Sequence, residues 1–81
     1  VYGTYRLNEK HSDESAMKYF HLDLSDKTSI KKLVEKIDNI DAVVNNAGIN
    51  IPNDFDKISL EDWDKIFSVN TRGLFYLTQS I

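Results

Sequence analysis

The chain has 81 residues, 41% apolar and 28% charged, and its 13 acidic against 10 basic residues give a formal charge of −3. It contains no cysteine, so a disulfide-stapled scaffold and a thiolate zinc site are excluded, and no apolar run approaches the roughly 18 residues of a membrane helix. A mildly acidic chain without a basic cluster also suits nucleic acid poorly, because phosphate contacts need Lys and Arg on one face.

Val1 to Tyr5 is short, β-branched and aromatic, and predicts a strand. Arg6 to Ser15 is polar and predicts a loop; Met17 to Leu22 predicts a second strand. Helical spacing follows. Ile30, Leu33, Val34 and Ile37 recur at i, i+3, i+4 and i+7, with Lys31, Lys32, Glu35 and Lys36 on the other side. Ser25 or Asp26 can accept the free N–H groups at the helix start, and Asp38 or Asn39 can end it. Ile40 to Val44 predicts a third strand, and Ala42-Val43-Val44 lacks polar alternation, as a strand covered on both faces would. Asn45-Asn46-Ala47-Gly48 breaks that strand, and a polar loop with the single proline, Pro52, runs to Ile58. Ser59, with Asp62 three residues on, resembles a capping box. Trp63, Ile66, Phe67, Asn70, Leu74, Leu77 and Ile81 then line one stripe of a long helix.

Short apolar strands separated by helices point to parallel pairing through crossovers, an α/β domain. The sequence starts inside a strand-like run without a basic-then-apolar leader and stops inside a helical pattern. Natural domains usually begin and end in polar segments. The expectation is therefore an incomplete domain over residues 1–81, from a cytoplasmic protein.

In open α/β sheets ligands bind beyond the carboxyl ends of the strands. Three segments follow predicted strands: Arg6 and its neighbours, Asp23-Leu24, and Asn45 to Gly48. Each also has an ordinary role, as a solvated loop Arg, a helix N-cap, and a turn that Asn and Gly tolerate well. Asn70 interrupts the apolar stripe, where an amide costs about 1–3 kcal/mol unless hydrogen-bonded. Gly73, in the same helix, costs about 1 kcal/mol relative to Ala. Two unfavourable choices within four residues indicate a functional or tight-packing constraint; the ordinary alternative is an Asn bonded to nearby backbone, with Gly making room for a neighbour. His11 and His21 have no metal-ligand spacing and are read as structural or surface residues.

Asp23-Leu24-Ser25, Val43-Val44-Asn45-Asn46-Ala47-Gly48 and Trp63 through Phe75 together resemble the short-chain dehydrogenase/reductase family. The Asn of the last helix lies 22 positions beyond Gly48, and Trp63 lies seven before it. The resemblance implies a doubly wound Rossmann fold with a parallel sheet, of which this stretch is similar to the family's second strand through fourth helix. It implies that Asp23 accepts from the adenine amino group, that the Leu24 N–H meets the ring, and that Asn45 ties the central strands together. Asn46, Ala47 and Gly48 are similar to the stretch beside the adenosine ribose. Asn70 resembles the tetrad Asn, whose main-chain carbonyl, exposed by a local break in the helix, holds a relay water.

Family members that prefer NAD carry an acidic residue after the second strand. Here Thr4-Tyr5-Arg6-Leu7 has none, and an Arg can pair with a 2′-phosphate through its planar fork. NADP(H) is expected over NAD(H). The implied activity is hydride transfer with a small-molecule carbonyl or alcohol substrate, and the style of the sequence is similar to bacterial 3-oxoacyl-acyl-carrier-protein reductases. The family's glycine-rich phosphate loop, its Ser and its Tyr-x-x-x-Lys pair have no counterpart in these residues, so the stretch alone is expected to be inactive. In the family's strand order the fourth strand pairs with the first, which leaves Ile40 to Val44 expecting a neighbour these residues do not supply. A homo-oligomer, a tetramer in the family, through the fourth helix is implied. The competing expectation is a non-catalytic or truncated Rossmann module acting in binding or assembly. A flavodoxin-like regulator or a methyltransferase fits the periodicity but gives no reason for the spacing of Gly48 and Asn70.

Overall fold

β1 (Tyr2–Tyr5) and β2 (Lys18–His21) pair in parallel, Tyr2 opposite Lys18 and Tyr5 opposite His21, in a computed structural model that describes residues 1–7 and 17–81. The Lys18 N–H donates to the Val1 carbonyl at 2.9 Å and the Leu22 N–H to the Tyr5 carbonyl at 2.8 Å. Gly3 stands opposite Tyr19, and a Cβ there would meet two carbons of the Tyr19 ring at 2.8 Å. The glycine makes room for that ring. Most of the predicted Arg6–Ser15 loop, His11 included, lies outside the described residues.

α1 (Lys27–Lys36) is capped by Asp26, whose carboxylate accepts the Thr28 N–H at 2.9 Å. It buries Ser29, Ile30 and Leu33 and ends at Lys36, where Ile37 turns extended, ahead of the expected Asp38 or Asn39. Ile40 to Val44 then differs from expectation. Among the described residues it has no ladder partner, and the sheet holds two strands only. An open cleft of about 870 Å³ has the Val1–Thr4 edge of β1 among its walls and residues 39–47 among the others. A strand needs a neighbour within hydrogen-bonding reach, and none stands here among the described residues.

After a short 3₁₀ turn (Phe55–Lys57), Ser59 caps α2 (Leu60–Phe67), its hydroxyl accepting the Asp62 N–H at 3.0 Å. The predicted single helix is interrupted by a π-helical segment, Ser68–Gly73, before α3 (Leu74–Ser80). Its wider i→i+5 step rotates the register, so the predicted stripe does not stay on one face. Trp63 and Phe67 are 54% and 43% exposed and stack on each other at 4.5 Å. The buried positions are Val69, Gly73 and Leu77, spaced by four.

Leu22, Leu24, Ile30, Leu33, Val69 and Leu77 form the core, flanked by Phe20, Val34, Ile37, Ile49 and Tyr76. Two parallel strands followed by helices make this a partial Rossmann-like α/β arrangement.

Candidate functional site

Because β1 and β2 run parallel, their carboxyl ends share one rim, which carries Arg6 on one strand and His21 to Asp23 on the other. The Asp23 N–H donates to Ser29 Oγ at 2.8 Å, anchoring the turn to α1. Asp23 Oδ1 accepts both the Ser25 N–H, at 2.9 Å, and the Ser25 hydroxyl, at 2.6 Å. Asp26 caps the helix, so Asp23 is released from that ordinary role. Its carboxyl is held below its usual value, first by the Ser25 hydroxyl and then by the Ser25 N–H and the charges of Arg6 and His21, against the opposing effect of burial. At neutral pH the rim therefore presents an oriented carboxylate beside an exposed Arg.

Leu24 is buried, and its carbonyl lies directly under Gly73 of the π-helical segment. A Cβ at Gly73 would come within 2.8 Å of both the Leu24 carbonyl carbon and its Cβ, and nearer still to the oxygen. Only a glycine lets the helix approach so closely. Arg72 adds a bond across the same contact, its guanidinium 3.4 Å from the Ser25 carbonyl.

Asn70 lies in that segment and faces the third predicted tip. Its Oδ1 accepts the Ile49 N–H at 2.8 Å and its Nδ2 donates to the Ile49 carbonyl at 2.9 Å. The side chain thus satisfies both backbone groups of one residue, as a strand neighbour would. Gly48 sits against the same amide, with a Cβ there in ordinary contact at 3.5 Å from Oδ1. The amide is bonded to backbone, and it is Gly73, not Gly48, that makes room for a neighbour, Leu24.

These contacts join Arg6, Asp23, Leu24, Gly48 and Asn70 into one connected region. Asn45, Asn46 and Ala47 are exposed and line the open cleft, and Asn45 makes no hydrogen bond among the described residues. Sequence reasoning assigns Ser25 a capping role, reads His21 as structural or surface, and does not single out Ser29; here Ser25 and Ser29 fix Asp23, and His21 Nε2 lies 3.0 Å from the Arg6 carbonyl. Ser25 follows Asp23 at two positions, a spacing that suits local side-chain-to-backbone bonds, whereas Ser29, six positions on, is brought back by the turn into α1. His21 has no such signal, because its partner depends on strand register.

Chemically, the rim can accept from an amino or hydroxyl group at Asp23, offer a cation at Arg6, and admit a ligand near small residues at Ala47 and Gly48. Among the described residues there is no group of three metal-ligating side chains, and no helix is long and apolar enough to cross a membrane.

The family model for short chain dehydrogenases matches residues 4–81. The chain is 39% identical over 64 residues to the 3-oxoacyl-[acyl-carrier-protein] reductase of Thermotoga maritima and 38% identical over 79 residues to that of Aquifex aeolicus. It is 33% identical over 67 residues to a cyclopentanol dehydrogenase of Comamonas testosteroni. These alignments cover 74%, 85% and 78% of this chain but 26%, 32% and 27% of the relatives, so the chain spans about a quarter to a third of their length. No solved structure matches it at a significant level. Because the matched family model spans residues 4–81 and the strands pair in parallel, the chain belongs to the short-chain dehydrogenase family.

Proposed function

We propose that the protein containing this chain is an NADP(H)-dependent oxidoreductase that moves a hydride between the nicotinamide and a carbonyl or alcohol carbon, with NAD(H) as the alternative coenzyme. The observation that carries this reading is the fixed Asp23 carboxylate beside Arg6 on the strand-end rim, with the Asn70-held tip at Gly48 joined to it through Leu24 and Gly73.

In this reading Asp23 accepts from the adenine amino group, and the Leu24 N–H lies against the ring. Arg6 pairs with the ribose 2′-phosphate through two parallel N–H bonds. Ala47 and Gly48 admit the ribose because neither carries bulk, and Asn45 and Asn46 border it. Asn70 holds the tip by its side chain, and its main-chain carbonyl in the π-helical segment binds a water of the proton relay. The coenzyme supplies the hydride; the proton comes from a Tyr that is not among these residues.

The names of the relatives favour a 3-oxoacyl thioester on its carrier protein as substrate. We take residues 1–81 as part of one dinucleotide-binding domain. The cleft beside β1 supports this, since one further parallel strand there would pair the open edge of β1 with Ile40 to Val44. The 81 residues alone would then be inactive. Phe75 of α3, 62% exposed, supports packing of the last helix against a second subunit, whereas Gly73 packs on Leu24 within this chain.

The test is Arg6→Asp in the full-length protein. The ratio of kcat/KM with NADPH to that with NADH should reverse in favour of NADH. An unchanged ratio removes Arg6 from coenzyme choice.

A further inference from the structure

The carboxyl ends of the two strands are tied together by His21. It occupies the last rung of the parallel ladder, opposite Tyr5, and its ring reaches one residue further to place Nε2 3.0 Å from the Arg6 carbonyl oxygen. A carbonyl can only accept, so Nε2 carries the hydrogen in this contact. The Tyr5 ring packs edge-on against the imidazole, centroids 5.9 Å apart at 78°, and restricts its rotation. Arg6 directly follows β1 and its side chain is exposed, so its own burial does little to orient it. The peptide from which the guanidinium projects is held by the His21 ring. Arg6 and His21 both lie close enough to Asp23 for their charges to act on its carboxyl.

We infer that His21 is a positioning residue for coenzyme discrimination, holding the Arg6 peptide so that the guanidinium stands where a ribose 2′-phosphate would bind. This rests on the adenosine reading of the rim proposed above and adds to it the device that orders the Arg. A hydrogen bond at an exposed site alters an equilibrium by about three- to tenfold. That change should fall on ligands carrying the 2′-phosphate and leave the unsubstituted ribose untouched.

Binding to the full-length protein is measured by calorimetry with adenosine 2′,5′-bisphosphate and with adenosine 5′-monophosphate. His21→Leu keeps bulk against Tyr5 but has no donor, whereas His21→Gln keeps an N–H of similar reach. The leucine variant should raise Kd for the bisphosphate about three- to tenfold with the monophosphate unchanged, and the glutamine variant should restore it to within about twofold. In an Arg6→Ala background, His21→Leu should have no further effect, since coupled residues are not additive. Equal changes for both nucleotides, no change for either, or an undiminished effect without Arg6 would each overturn the inference while leaving the adenosine site standing. A wild-type protein that binds neither nucleotide overturns the adenosine site, and the inference with it.

Discussion

Ile30 and Val44 are both aliphatic, β-branched residues in apolar runs, yet Ile30 is 1% exposed and Val44 is 90% exposed. The region around Ile30 is sealed because β2, α1 and α3 each supply a surface: Leu22 and Leu24 from the strand end, Leu33 from the same helix, Val69 and Leu77 from the helix above. The run from Asn39 to Ala47 borders an open cleft, and all of it except the half-buried Ile40 is exposed. Apolar sequence is thus a demand for burial, and whether it is met depends on what stands opposite. In the sealed region the demand is met; along Ile40 to Val44 it is not met among the described residues.

Substitutions in the full-length protein separate the two regions. Ile30→Ala should cost about 4 kcal/mol, the transfer and cavity terms of a fully buried side chain, read as a lower urea midpoint at unchanged m-value. Gly73→Ala should cost about 3 kcal/mol, because the new Cβ meets the Leu24 backbone, which has little freedom to retreat. Val44→Ala is the sharper comparison. A residue covered by an adjoining strand should lose about 2 kcal/mol, whereas an exposed one would lose under about 0.5 kcal/mol. The smaller value would mean that the open run stays open in the whole protein.

The smallest effect concerns Asp23. Its folded value lies below the ordinary 3.8 because the Ser25 hydroxyl favours the charged form. The carboxylate therefore contributes stability above about pH 5, and this is lost as pH falls through 3.8 towards the lower folded value. In Asp23→Asn that part of the acid sensitivity should vanish, so the stability difference between wild type and variant narrows on acidification. A difference that stays constant down to about pH 2.5 would show that Ser25 does not hold the carboxylate.

Much of this architecture follows from local chemistry in the sequence. The Ser59 cap and the inward Ile30 and Leu33 each depend on residues near one another in the chain, whereas the strand expected over Ile40 to Val44, with its stop at Asn45, has no ladder partner among the described residues. Asp26, immediately before the first helical residue, caps α1, while Asp23, three residues earlier, is engaged by the Ser25 hydroxyl and N–H. The alternatives left open there are separated only by geometry. Other features lie beyond periodicity. The π-helical segment moves Trp63 and Phe67 off the buried stripe and puts Val69 and Gly73 on it, a register change that no 3.6-residue pattern contains. Asn70 was marked by its cost on an apolar face, but its partner, the backbone of Ile49, is 21 residues away. The contact between His21 and the Arg6 carbonyl needs the strand register, which neither strand specifies alone.

The most direct test is the structure of the full-length protein with NADP(H) bound. The account places the adenine amino group on the Asp23 carboxylate, the ring against the Leu24 N–H, the 2′-phosphate on Arg6 and the ribose beside Ala47 and Gly48. Adenosine bound away from these residues, with Asp23 still engaged only by Ser25, would contradict it.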